Sequence, residues 1–120
     1  MIYMDNAATT RLSSRALEAM MPYLTEQYAN PAGTYSFTNA SNAAMEKARK
    51  QVADVIGAKS AEIFFTSGGT ESDNWALKGV MRANEKKGRH LIISAIEHHA
   101  ILHSAKALER EGFDVTVLPV

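Results

Sequence analysis

Apolar positions in the first half of the chain recur at helical spacing. An N-cap at Ser13 or Ser14 precedes a stripe at i, i+3, i+4 and i+7, formed by Leu17, Met20, Met21 and Leu24. The face of a second predicted helix consists of Ala44, Ala48, Val52, Val55 and Ile56, and Gly57 can end that helix in the left-handed conformation. Gln27–Phe37, which lies between the two stripes, has no period and contains Asn30-Pro31 and Gly33, so we predict a loop there.

After residue 60 the pattern changes to short apolar runs that alternate with amphipathic segments. The runs Ile63–Phe65, Leu91–Ile93 and Val115–Leu118 are predicted strands, and Ala76–Asn84 and Ile101–Leu108 are predicted helices. Continuous apolar strands separated by helices are typical of parallel sheets covered by helices. The sequence therefore predicts an α/β protein, with a helical N-terminal arm over residues 1–60 and a β-α-β-α-β segment over residues 61–120, within one structural unit.

Composition narrows the classes of function. The chain has 120 residues, of which 46% are hydrophobic and 22% charged, as in a soluble globular domain. Thirteen basic and thirteen acidic side chains balance, which disfavours binding to nucleic acid. The chain shows neither an apolar run long enough for a membrane span nor a secretory signal, so we expect a cytoplasmic protein without a membrane partner. Cysteine is absent, which excludes disulfides, thiolate metal sites and a cysteine nucleophile from these residues.

The block Thr66–Asn74 joins a predicted strand to a predicted helix through two glycines and several hydroxyls. Glycines allow close approach of the backbone, and the free N–H groups of a first helical turn favour an anion. The hydroxyls of Ser67 and Thr70 can add donors. Neither a P-loop nor a dinucleotide fingerprint is present, which favours a small phosphate ester. The alternative is a purely structural turn, in which Thr70 is the N-cap and Asp73 completes a capping box.

Histidines follow the next predicted strand, in Glu97-His98-His99-Ala100. An imidazole at this place can stack on a flat ligand, exchange protons or bind a metal. His99 and His103 lie four residues apart and could share a zinc ion on one helix face. With neither a cysteine nor the glutamate of an H-E-x-x-H motif, solvent-exposed histidines are the better interpretation, and we predict no metal site.

Together these residues resemble the amino-terminal portion of the cysteine desulfurases, which are pyridoxal-phosphate enzymes of the fold type I, class V aminotransferase superfamily. The resemblance covers essentially the whole chain, and its most specific part is Thr66–Asn74. The other matching blocks are Tyr3–Thr10, Asn30-Pro31, Glu97-His98 and Glu109–Phe113. The implied fold is the first part of a pyridoxal-phosphate-binding large domain.

The resemblance also implies roles for individual residues. Gly69 and Thr70 would hold the cofactor phosphate, His98 would stack on the pyridine ring and take part in catalysis, and Ala7 and Thr9 would lie near the substrate. After Asn30-Pro31 the sequence departs from the family, which commonly has two serines, then a His and a Gly. The residues found instead are Ala32, Gly33, Tyr35 and Thr38.

The implied reaction takes sulfur from L-cysteine and gives alanine and an enzyme persulfide for iron–sulfur cluster or thio-cofactor synthesis. A homodimer and an iron–sulfur scaffold or other sulfur-acceptor protein are the implied partners. The family's cofactor-binding lysine and persulfide-forming cysteine lie beyond residue 120 of such an arrangement, so we expect this chain alone to be inactive. A selenocysteine lyase or another class V enzyme is one alternative, and a non-catalytic, truncated phosphate-binding or dimerising fragment is another.

Overall fold

The computed structural model describes residues 2–120. These residues form two compact units, the first up to Phe64 and the second from Phe65 to Val120. The first unit contains helices α1 (Ser14–Thr25) and α2 (Asn39–Ile56), with short 3-10 turns at Ser36–Thr38 and Ser60–Glu62. The second contains α3 (Gly69–Ala83), β1 (His90–Ser94), α4 (His99–Arg110) and β2 (Asp114–Leu118). This helical region, followed by parallel strands with an intervening helix, confirms the predicted α/β fold class.

Local capping signals set the ends of both helices in the first unit. The Ser13 hydroxyl accepts a hydrogen bond from the Ala16 amide at 3.1 Å, which confirms one of the two predicted N-caps. Gly57 ends α2 with φ 70° and ψ 26°, and its amide donates to the Ala53 carbonyl. Gly57 thus adopts the left-handed conformation that was predicted for it.

The predicted loop between α1 and α2 is held by short-range hydrogen bonds. The Asn30 side-chain oxygen accepts from the Ala32 amide at 2.9 Å, while the Asn30 carbonyl accepts from the Gly33 amide, also at 2.9 Å. At the end of the loop the Thr38 side chain is only 1% exposed. The Thr38 hydroxyl lies 2.9 Å from the Gly33 carbonyl and 2.7 Å from the Tyr35 carbonyl. Gly33, Tyr35 and Thr38, three of the four residues that depart from the family pattern, are therefore joined by hydrogen bonds within this loop.

In the second unit, β1 and β2 form a parallel pair, with His90 opposite Asp114 and Ser94 opposite Leu118. Parallel neighbours need a crossover, and α4 provides it. Helix α4 packs against α3 and both strands. The buried side chains of this core come from β1, α4 and the turn after it, and they are Ile93, Ala100, Ser104, Ala105, Leu108 and Phe113.

One predicted strand and part of one predicted buried face are wrong. Ile63–Phe65 is not a strand, although Ile63 has the extended angles φ −100° and ψ 126°. A strand is completed by a ladder to a neighbour, and the sheet of the described residues consists of β1 and β2. The second error concerns the apolar face of α2, where Val55 is 85% exposed and Ile56 66% exposed. The buried positions of α2 are instead Ser41 and Ala53, because burial depends on what packs against a face.

Candidate functional site

Two helix starts in the second unit hold the residues that the sequence singled out for phosphate and ring binding. The segment Thr66–Gly68 leads into α3, and the segment after Ser94 leads from β1 into α4. His98 is therefore at the carboxyl end of a parallel strand, where open α/β sheets commonly bind ligands. Thr70 is in the first turn of α3, which packs on α4.

The first turn of α3 presents donors suited to an anion. The earliest hydrogen bond of the helix runs from the Ser72 amide to the Gly68 carbonyl at 3.1 Å. The amides of Gly69, Thr70 and Glu71 precede that bond, so no carbonyl within the helix is available to them. Gly69 and Thr70 are exposed, and the structure gives the Thr70 hydroxyl no hydrogen-bond partner among residues 2–120. These donors fit a phosphate group, in keeping with the positive end of the helix dipole.

Thr70 is not the N-cap of α3, so the predicted capping box with Asp73 is wrong. The helix begins earlier, with Gly68 as the N-cap residue. Glu71 takes the role predicted for Asp73, because its carboxylate accepts from both the Ser67 amide and the Ser67 hydroxyl, each at 2.7 Å. Two consecutive glycines let the chain enter the helix before Thr70, which leaves the Thr70 hydroxyl available.

The Ser67–Glu71 contact also changes the expected donor set. Sequence analysis offered the Ser67 hydroxyl to a bound anion, but that hydroxyl already donates to Glu71. Its hydrogen bond, and next that of the Ser67 amide, hold the pKa of the Glu71 carboxyl below its ordinary value. The site therefore carries a negatively charged side chain that is engaged with the loop.

Hydroxyl groups fix the other side of the same loop. The Thr66 hydroxyl lies 2.7 Å from the Ser72 hydroxyl and donates to the Gly68 carbonyl at 3.2 Å. Since each hydroxyl has one hydrogen, Ser72 donates to Thr66 in this chain of bonds. Both sides of the loop are thus tied to the first turns of α3 by side chains of the specific Thr66–Asn74 block.

His98 is the N-cap residue of α4, a role that the sequence analysis did not assign to it. Its backbone is extended, with φ −60° and ψ 150°, and its Nδ1 accepts from the Ala100 amide at 3.1 Å. The His98 residue is exposed, whereas Ala100 is buried. The ring is therefore held at one nitrogen and open to a ligand elsewhere.

His99 and His103 lie side by side on α4, with ring centroids 5.5 Å apart and planes inclined by 25°. No cluster of three or more metal-ligating side chains occurs within residues 2–120. A pair of stacked, exposed rings supplies too few ligands for the tetrahedral sites that zinc prefers.

Ala7 and Thr9 belong to the first unit, where Ala7 lies in an exposed turn and Thr9, also exposed, follows it. The Asp5 carbonyl accepts from the Ala8 amide at 3.1 Å and from the Thr9 amide at 3.4 Å. The two residues expected near the substrate thus lie in and directly after one turn of the first unit, while the residues expected to bind the phosphate and the ring are in the second unit.

Sequence analysis missed an open groove that continues from Thr70 along one side of α3. Lys78 is a member of this groove, and its ammonium group donates to the Asn74 side chain at 2.7 Å. Arg82 follows one turn later and binds Glu111 through two hydrogen bonds, of 3.0 and 2.6 Å. That pairing raises the pKa of Arg82 and lowers the pKa of Glu111, chiefly through its hydrogen bonds. The four-residue spacing of Thr70, Asn74, Lys78 and Arg82 was visible in the sequence and could have indicated this common face.

A family model described as aminotransferase class-V matches residues 2–120. The chain belongs to the class-V aminotransferases. Pyridoxal phosphate is the cofactor of this family, and the donors at the start of α3 fit its phosphate. Among curated relatives of this class-V aminotransferase chain, cysteine desulfurase IscS of Methanosarcina thermophila is 55% identical over 119 residues. That alignment covers 99% of this chain and 30% of the relative.

Solved structures agree with this assignment. A NifS-like protein superimposes with a TM-score of 0.90 at 46% identity, over 99% of this chain and 33% of that chain. SspA in complex with cysteine superimposes with a TM-score of 0.86 at 40% identity, over 97% of this chain and 33% of that chain. The class-V aminotransferase chain thus has the fold of part of a NifS-like enzyme. It spans about 30% of the length of the curated relative described above and corresponds to its amino-terminal part.

No helix within residues 2–120 is both long and apolar enough to cross a membrane.

Proposed function

We propose that this chain is the amino-terminal part of a pyridoxal-phosphate-dependent cysteine desulfurase. The observation that carries the proposal is the 55% identity to cysteine desulfurase IscS of Methanosarcina thermophila, which extends over 99% of the chain. The similarity to SspA in complex with cysteine supports cysteine as the substrate class. The reaction converts L-cysteine and an enzyme thiol into alanine and an enzyme persulfide, so that one sulfur atom moves and no external oxidant is needed.

In this proposal the residues of the chain bind and orient the reactants. Pyridoxal phosphate supplies an electron sink when bound. The amides of Gly69 and Thr70 and the Thr70 hydroxyl would hold its phosphate, and the positive end of α3 favours that charge. The exposed ring of His98 would pack on the cofactor's pyridine ring. Ala7 and Thr9 would lie near the substrate.

Other parts of the reaction need residues outside this chain. None of the 120 residues is a cysteine, so the thiol that receives sulfur must come from elsewhere in the proposed enzyme. Among the seven lysines, Lys50 pairs with Asp54 at 2.8 Å, and Lys78 binds Asn74. We propose none of the lysines as the group that binds the cofactor carbonyl. A homodimer and an iron–sulfur scaffold or another sulfur acceptor complete the proposal.

Two neighbouring histidines provide a test in a full-length enzyme that carries this chain. His98→Ala removes the ring proposed to pack on the cofactor, and it should lower turnover and shift the cofactor's absorption spectrum. His99→Ala is the matched control, since the His99 ring stacks on His103 instead, and it should leave both nearly unchanged. Unchanged turnover and spectrum in His98→Ala would reject the assignment of His98. Faster turnover of selenocysteine than of cysteine by the unmodified enzyme would favour the selenocysteine lyase alternative.

The absence of cysteine favours a second candidate for the 120 residues taken alone, a non-catalytic phosphate-binding fragment. The isolated chain, mixed with pyridoxal phosphate and cysteine, should release no sulfide above a cofactor-only blank. Borohydride should trap no stoichiometric adduct at any one lysine. Sulfide release together with specific trapping would show that the chain is catalytic by itself.

A further inference from the structure

The cap of α4 is made by an imidazole, and this determines where the ring carries its hydrogen. Serine, threonine, aspartate and asparagine are the usual N-cap residues, because their oxygens accept from the helix amides. Here the acceptor is Nδ1 of His98, 3.1 Å from the Ala100 amide nitrogen. Ala100 is only 6% exposed, so its amide has little access to water as a substitute partner.

The direction of this hydrogen bond is fixed, since a backbone amide can only donate. Nδ1 must therefore offer a lone pair, and a neutral ring must carry its hydrogen on Nε2. A hydrogen on Nδ1 would point at the hydrogen of the Ala100 amide. The contact therefore selects the Nε2–H tautomer of the neutral ring.

We infer that the Ala100 amide is a positioning group for His98, which holds the neutral ring in the Nε2–H form with Nδ1 directed at the first turn of α4. The role of the ring towards the cofactor rests on the proposed function, whereas the tautomer and the cap do not. A ring held in this way donates from Nε2 to a ligand.

The neighbours of His98 leave this arrangement intact. The His99 ring centroid lies 6.1 Å from that of His98, with planes inclined by 54°, and Glu97 precedes His98 in the sequence. Within residues 2–120 no ion pair involves His98. Four charged or titratable side chains on the elements packed against α4 have partners other than His98: Glu71 binds Ser67, Lys78 binds Asn74, Arg82 binds Glu111, and His90 binds Thr116. Asp73 is also on α3. Asp114, at the start of β2, lies opposite His90 in the sheet.

The chain has four histidines, so imidazole nitrogen NMR can test the tautomer directly. Single substitutions of His90, His99 and His103 by Asn assign the signals without changing His98. For neutral His98 we expect an Nδ1 without hydrogen and an Nε2 with hydrogen, at limiting rather than averaged shifts. Averaged shifts, or a hydrogen on Nδ1, would overturn the inference.

Two substitutions of His98 separate the cap from the ring. His98→Asn keeps a side-chain acceptor for the Ala100 amide, whereas His98→Phe keeps an aromatic ring without an acceptor. In a hydrogen-exchange experiment, the Ala100 amide of the His98→Phe variant should exchange roughly fivefold faster than that of the unmodified chain. This ratio corresponds to the usual free-energy cost of losing an N-cap. The Asn variant should stay within about twofold of the unmodified chain. Equal exchange in all three proteins would refute the cap.

If the tautomer and cap measurements succeed while the full-length enzyme shows no His98-dependent cofactor spectrum, the proposed function fails and this inference stands.

Discussion

A Cβ atom on Gly33 would lie 2.6 Å from the Thr38 Cγ2 methyl, closer than two non-bonded carbon atoms can approach. The Thr38 side chain is buried, and its hydroxyl donates to the Gly33 carbonyl at 2.9 Å. The two residues are therefore matched both by the space at Gly33 and by this hydrogen bond. Gly33 and Thr38 are two of the four positions that depart from the family pattern. Their departures are therefore complementary, since the small residue leaves the space that the threonine methyl requires.

This fit predicts the effect of a methyl group at position 33. Gly33→Ala should lower the free energy of unfolding by about 1–3 kcal/mol, the usual cost of overpacking. Thr38→Ser removes the methyl and keeps the hydroxyl, so the same Gly33→Ala change should cost less in that background. Gly88→Ala is the control, because a Cβ there meets no atom within 4 Å. Additive effects of the two changes in a double-mutant cycle of denaturant melts would contradict the fit.

Ser104 offers a stabilising substitution. Its side chain is only 1% exposed, and among the described residues its hydroxyl has no hydrogen-bond partner. Removing an unsatisfied buried hydroxyl relieves its desolvation penalty, so Ser104→Ala should raise the free energy of unfolding by about 1 kcal/mol. Ser41 is the matched control, because it is buried but its hydroxyl donates to the Gln27 carbonyl at 2.8 Å. Ser41→Ala should therefore destabilise the chain, and a loss of stability in Ser104→Ala of similar size would refute this explanation.

The Ser67–Glu71 contact predicts a stability term that depends on pH. The pKa of Glu71 is lowered in the folded chain, so the contact stabilises above the ordinary glutamate pKa of about 4.3 and is lost as pH falls through the lowered value. The difference in free energy of unfolding between the unmodified chain and the Glu71→Gln variant should thus be largest near neutral pH and should decrease on acidification. Melting temperatures of both proteins from pH 7 to pH 3 measure it.

Ser67→Ala provides the partner experiment for Glu71. Because the Ser67 hydroxyl is the largest cause of the lowered pKa, the pH-dependent difference between Glu71 and Gln should be smaller in the Ser67→Ala background. A difference that is independent of pH, or equal in both backgrounds, would show that the contact does not act as described.

Thr70 and Ser67 should differ in their effect on phosphate binding. Thr70→Val removes a donor while preserving shape, and loss of a hydrogen bond to a charged group costs about 1.5–3 kcal/mol, or roughly ten- to hundredfold in affinity. Ser67→Ala should change affinity much less, because the Ser67 hydroxyl is already bound to Glu71. Titration of pyridoxal phosphate, with inorganic phosphate as competitor, gives the dissociation constants. Equal affinities of Thr70→Val and the unmodified chain would remove Thr70 from the site.

Features that depend on a few consecutive residues were determined by the sequence alone. An N-cap at Ser13 or Ser14, the left-handed end of α2 at Gly57 and the position of His98 just after a strand all follow from local backbone chemistry. The specific Thr66–Asn74 block likewise indicated the family, because its residue types and order are determined by the sequence itself.

Only the tertiary structure decided which groups are paired and which are buried. The sequence could not show that Glu71 rather than Asp73 closes the α3 loop, since both lie within reach of its first turn. It could not show that the sheet of the described residues consists of β1 and β2 without Ile63–Phe65, or that Val55 is exposed, because strands and buried faces require neighbours distant in sequence. Nor could it show that Gly33 makes room for Thr38, five residues away, because that fit arises only when the loop folds back on itself.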